Sequence, residues 1–172
     1  MRRRLGILGA LLAVSGTVVG LMPAADAETG GRGYERGNAP AAIDITWLHA
    51  TNADQRFAIQ VKVRDLRHHG RFSFHYWAGR KAAPPARSLL MTVRPGDEGV
   101  RARFFTCGRE DCAPARCRSF RATWDAEDDI VRVAARQRCF PGRTPAVGRF
   151  FAWSETQAET DEGSEPFLLK RG

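Results

Sequence analysis

Beyond its N-terminal apolar run, the sequence has no stretch in which apolar residues recur at helical spacing, which points away from the all-α and α/β classes. No C-x-x-C occurs, so a thioredoxin-like redox role lacks its motif. G-x-S-x-G, H-E-x-x-H and the P-loop are missing as well. The serines beyond position 27 are Ser73, Ser88, Ser119, Ser154 and Ser164, and none has a nucleophile's context. With no such motif, the sequence gives no reason to expect an enzyme, a metal site or a cofactor. Lysine is scarce too: beyond position 27 only Lys62, Lys81 and Lys170 occur. The remaining basic residues are arginines, whose planar fork suits carboxylates and phosphates.

The opening has the three-part layout of a secretory signal peptide. Arg2, Arg3 and Arg4 precede an uncharged apolar run from Leu5 to Leu21, Pro23 breaks it, and Ala25-Asp26-Ala27 fits a cleavage site. We therefore expect a signal peptide over 1–27 and a secreted, extracellular chain; retention of the segment as an anchor is the alternative. After cleavage no membrane association is expected. Removing 1–27 takes away three arginines and one aspartate, and the formal charge falls from +8 to +6. Residues 28–40, "ETGGRGYERGNAP", are rich in Gly and charge without an apolar period, and read as a flexible linker.

From 41 to 172 the chain reads as one domain of about nine short strands. Phe57, Ile59, Val61 and Val63 alternate with Ala58, Gln60, Lys62 and Arg64. In "RFSFHYW", 71–77, Phe72, Phe74 and Tyr76 share one face, and Ser73, His75 and Trp77 the other. Further runs occupy 43–47, 88–93, 100–104, 117–124, 130–137 and 147–153. The acidic turn "DAEDD", 125–129, separates two of them and reads as a solvated hairpin turn. The acidic segment 155–166 reads as a surface loop or disordered stretch, and the insert 78–88, with two adjacent prolines, as an exposed loop. "PFLLK" at 166–170 is too apolar for a free tail and is expected to dock as a final edge strand. The fold class is all-β: an antiparallel β-sandwich, jelly-roll or Greek-key like, stapled by disulfides.

The segments "AIDITWLHATNADQRFAIQVKVRDLRHHGRFSFHYW" and "DDIVRVAARQRCFPGRTPAVGRFFAW" carry a resemblance. Each has an alternating strand; the first ends its strand in "RDL", and the second adds a cysteine followed by a large apolar residue, Gly and Pro. The chain thus resembles a family of small secreted actinobacterial β-sandwich proteins of unknown function. In strand layout it is also similar to DOMON and family-9 carbohydrate-binding modules. The resemblance implies the fold and no catalytic residue. The family pattern offers equivalents of Cys117 and Cys139; Cys107 and Cys112 are additional.

An even cysteine count in an exported chain favours disulfides over zinc. Four cysteines allow three connectivities, and Cys107–Cys112 with Cys117–Cys139 is preferred. "CGREDC" closes a small bendable loop. A hairpin centred near Asp128 sets Cys117 opposite Cys139. Cys117 is out of phase with Phe120, Ala122 and Trp124 on that strand, so a bulge or end twist is required.

His68 and His69 fall in an expected hairpin turn and read as solvated. Trp47, Trp124 and Trp153 are in phase with apolar neighbours and read as core. Trp77 shares its face with His75 and, if 56–63 and 71–77 form a hairpin, lies beside Ala58 with Gln60 next to His75. Trp77, His75 and Gln60 then make a sugar-stacking candidate, unless a second layer covers the indole. Arg101, Arg103, Arg118, Arg121, Arg132 and Arg136 are candidates for a basic sheet face, on which Arg101 and Arg103 are counted as binding residues. The expected function is a secreted non-enzymatic binding domain for carbohydrate or anionic cell-envelope polymer. The alternative is a secreted protein-interaction or inhibitor module presenting the Cys107–Cys112 loop through Arg109, Glu110 and Asp111. Nucleic acid is not an expected partner.

Overall fold

The computed structural model describes residues 27–79, 87–142, 144–162 and 166–172. Apart from Ala27 the expected signal peptide lies outside them, as does most of the 78–88 loop. The described residues form two antiparallel sheets packed face to face, and none of their helices is long and apolar enough to cross a membrane.

The first sheet contains β1 (Glu28–Gly33), β2 (Ile45–Asn52), β3 (Arg56–Val63), β8 (Arg121–Asp125) and β9 (Ile130–Arg136), in the order β1-β2-β3-β9-β8. The second contains β4 (Arg71–Ala78), β5 (Ser88–Gly96), β6 (Gly99–Cys107), β7 (Cys112–Pro114), β10 (Val147–Glu155), β11 (Thr160–Glu162) and β12 (Phe167–Lys170). Its order is β11-β10-β4-β5-β6-β7, with β12 also on β10. The chain crosses between sheets after β3, before β8 and after β9, so β9 lies beside β3 and β10 beside β4.

Period-two patterning explains the core. Phe57, Ile59, Val61 and Val63 of β3 and Phe72, Phe74 and Tyr76 of β4 are all buried on the two inner faces. Each such side chain contributes roughly 1.5–3 kcal/mol by leaving water. The sheets meet ring to ring: Phe57 lies 4.6 Å from Tyr76 and Phe72 meets Trp124 edge-on at 5.3 Å, centroid to centroid. Trp124 is half-buried and packs against the core with the side of the strand that its phase indicated. The inner layer also holds a buried polar chain. The Tyr76 hydroxyl donates to Gln137 Oε1 (3.1 Å), the Gln137 amide to Asn52 Oδ1 (2.7 Å), and the Asn52 amide to the Leu169 carbonyl (3.1 Å). Every link is paired, as most buried polar groups are.

Both disulfides form in the preferred pairing, Cys107–Cys112 and Cys117–Cys139. The phase conflict at Cys117 is resolved by a turn rather than a bulge. β8 begins only at Arg121, Phe120 N–H donates to the Cys117 carbonyl (3.0 Å), and Cys139 ends the 3-10 turn Gln137–Cys139. The bridge therefore joins two loops beyond the ladder.

Four expectations are corrected. Residues 28–33, expected within the linker, form edge strand β1, hydrogen-bonded to β2 from Glu28↔Asn52 to Gly33↔Trp47. Its glycines admit close neighbours: a Cβ on Gly31 would lie 2.7 Å from the Trp47 ring, and one on Gly30 2.8 Å from Leu169. The domain thus begins before residue 41. Part of the acidic 155–166 stretch pairs with β10 as β11. Trp47 and Trp153 lie on outer faces: a register shift between Ile45 and Trp47 turns the first outward, and Phe150, Ala152 and Ser154 are the buried phase of β10. Finally, β3 and β4 do not form a hairpin. Their connection is anchored at the sandwich edge, where Arg64 pairs with buried Asp44 (3.0 Å) and Leu66 N–H donates to Asp129 Oδ1 (2.8 Å), and it delivers β4 to the opposite sheet. The C-terminal strand docks as expected, as β12 on β10.

Candidate binding face

The β3–β4 crossover separates the residues of the sugar-stacking candidate. Gln60 sits on the outer face of the first sheet, between His49 and Arg132. His75 and Trp77 sit on the outer side of the second. Trp77 is 2% exposed, so its ring is closed rather than open. The arginines divide as well. Arg121, Arg132 and Arg136 belong to the first sheet and Arg118 to the loop before β8, whereas Arg101 and Arg103 belong to the second sheet.

Strand register assembles the second sheet's outer face into rows. One row runs Phe151, His75, Leu90, Phe105, Pro114 across β10, β4, β5, β6 and β7. The next runs Trp153, Ser73, Thr92, Arg103. On the last, Glu155 opposes Arg71, and Arg94 opposes Arg101. Neighbouring strands stand roughly 4.8 Å apart, so each row is a near-continuous line of side chains. The face therefore grades from half-buried aromatics to exposed arginines.

His75 marks the aromatic end. Its Nε2 lies 2.9 Å from Ser88 Oγ, and its ring lies 5.1 Å from that of Trp77 and 6.2 Å from that of Trp153. Burial lowers its pKa from 6.5 to about 4, so the imidazole is neutral at neutral pH. Phe151 and Trp153 lean on each other at 5.6 Å.

At the basic end, Arg71 pairs with Glu155, and Arg101 reaches Asp97 at 3.4 Å. Among the described residues, Arg94 and Arg103 meet no carboxylate within ion-pair distance. A hollow of about 630 Å³ lies along these arginines between Thr92 and Phe105, and one of about 720 Å³ continues past Arg71 and Arg94 towards Thr156. Both are lined in part by Arg71 and Arg94, so the two hollows flank the same pair of arginines. Its donors are fixed to strands rather than loops.

The first sheet's outer face differs. Trp47 stacks on His49 at 4.9 Å and 20° between planes. Burial, and secondarily the charge of Arg132, lower the His49 pKa. Among the described residues no cluster of His, Cys, Asp and Glu is arranged to hold a metal ion. Reading the sequence alone missed Trp153 and Arg94 as surface residues. Their signal was the second phase of "RFFAWSE" and "LLMTVRP", which is also partly apolar and so did not declare itself as outward. No protein-family model, no curated protein and no solved structure matches this chain.

Proposed function

We propose that this domain is a secreted, non-enzymatic binding module for an anionic polymer of the cell envelope, held along the outer face of the second sheet. The carrying observation is the set of strand-borne arginines, of which Arg94 and Arg103 meet no carboxylate among the described residues, with Phe105 next to Arg103 on β6 and Trp153 at the far end of the Arg103 row. Guanidinium forks take phosphate or carboxylate bidentately, and flanking aromatic surface takes the apolar faces of sugar rings. The buried Trp77 shifts weight from neutral sugar stacking to charge. The signal-like N-terminus and the two disulfides support an oxidising, extracellular setting.

The test is co-sedimentation with cell-wall sacculi that retain or lack their anionic polymer. Retention on the charged sacculi at low salt, lost with added salt and with the paired change Arg94→Gln and Arg103→Gln, supports the reading. Equal retention on stripped sacculi, or indifference to both salt and the arginines, overturns it.

A further inference from the structure

The outer edge of β6 is only partly covered. β7 pairs with it over Phe105–Cys107, and Ala115 N–H donates to the Phe104 carbonyl at 2.9 Å. In an antiparallel ladder, successive residues direct their backbone groups to opposite sides. Phe104 faces away from β5, so Ala102 and Val100 do too. Among the described residues nothing bonds the outward N–H and C=O groups of these two. Side chains flank this bare backbone on both sides. Arg101 and Arg103 project on the outer face. Val100 and Ala102 project on the other, where the hairpin runs beyond the core; Val100 is 39% exposed and Ala102 is exposed too.

We propose that the β6 edge over residues 99–103 accepts an extended acidic peptide as an added strand. The backbone groups of Val100 and Ala102 bond the peptide backbone. Arg101 and Arg103 face carboxylates on one side of it, and Val100 and Ala102 face its alternate apolar side chains on the other. Strand addition of this kind takes affinity from main-chain bonds and selectivity from alternate side chains. The chain does the same to itself: β7, which follows Glu110 and Asp111, occupies the next part of this edge and is pinned there by Cys107–Cys112. A second copy is disfavoured as the occupant. Two β6 edges side by side would oppose Arg101 and Arg103 to their own equivalents, and like charges on paired strands repel. This inference shares Arg101 and Arg103 with the polymer reading, but it adds the bare backbone of Val100 and Ala102 at the strand edge, which the polymer reading does not use.

The experiment is an NMR titration of the 15N-labelled protein with two capped hexapeptides, one alternating Glu and Val, the other Lys and Val. The expected result is saturable shifts confined to residues 99–104 with the glutamate peptide only, and amide exchange at Val100 and Ala102 slowed about ten-fold or more. Ala102→Pro deletes one outward N–H without touching the β5 ladder, and should weaken binding about ten-fold. If that variant does not fold, the exchange measurement on the unaltered protein decides. Equal shifts with the lysine peptide, shifts elsewhere, no shifts at millimolar peptide, or peptide-independent dimerisation through this edge would overturn the proposal. Ala102→Pro leaves the sheet face intact, so loss of peptide binding with retained polymer binding separates the two readings.

Discussion

Arg94 stands directly opposite Arg101 on the β5–β6 ladder, two like charges at one cross-strand pair. Such a pair opposes folding by some tenths of a kcal/mol to about 1 kcal/mol. Asp97 reaches only one of the two, Arg101. Arg94→Thr should therefore raise stability by about 0.5 kcal/mol, read from the urea midpoint, while lowering retention on anionic sacculi. A variant that loses stability instead would show that the guanidinium holds the fold rather than a ligand.

His75 makes stability fall in acid. Its folded pKa is about 4 against 6.5 in the unfolded chain, so between those values the unfolded state binds the extra proton. The contribution is complete above about pH 6.5 and is lost as pH falls towards 4, at no more than about 1.4 kcal/mol per pH unit. Unfolding curves at pH 7.0 and 4.5 measure it. His75→Gln should flatten the difference; an unchanged slope would place its source elsewhere.

Gly148 faces inward on β10 beneath the stacked pair Tyr76 and Phe150, whose rings lie 4.8 Å apart. A Cβ there would overlap the Tyr76 ring and lie 3.1 Å from the Asn52 amide nitrogen. Gly148→Ala should cost about 1–3 kcal/mol by overpacking. The loss should be smaller with Tyr76→Phe in the background only if the Tyr76–Gln137 bond resists the ring's movement, which a double-mutant cycle reads.

The two disulfides should differ in weight. Cys117–Cys139 spans 22 positions and Cys107–Cys112 spans 5. The chain-entropy relation assigns them about 3 and about 2 kcal/mol, respectively. Paired Cys→Ser substitutions, compared by denaturant midpoint, check the order. Equal losses would mean that chain entropy is not what separates them.

Much of this fold was legible because one face of each long strand is uniformly apolar. β3 and the Phe72, Phe74, Tyr76 face of β4 could be assigned by alternation alone, and the turn at 125–129 by its acids. Alternation states which face is buried, but not whether two such faces lie side by side or face to face. That is why Gln60 and His75 were expected together and are found on opposite sides of the sandwich. Trp47 was obscured by a one-residue register shift, which reverses phase without changing composition. Trp153 was obscured because both phases of its strand contain aromatics. β1 had no apolar period to read, since what places it is room for Trp47 and Leu169 above glycines. The arginine row needed the β5–β6 register, which pairs Arg94 with Arg101 and Thr92 with Arg103.

The packing of Leu169 over Gly30 has a consequence for folding. β1 and β12 meet along one seam of the sandwich, where the Glu28 carboxylate also accepts the Lys170 N–H, and Gly172 N–H donates to the Asn52 carbonyl (3.1 Å). β1 has a near partner in sequence, β2, but its contact with β12 joins residues 142 positions apart. Contacts of that separation carry a larger loop-closure cost, so this seam slows folding more than the β1–β2 ladder does. The same adjacency makes the protein a natural candidate for circular permutation. Residues 28 and 172 could be joined by a short Gly-Ser bridge, and new ends opened at the solvent-exposed turn between Ala126 and Glu127.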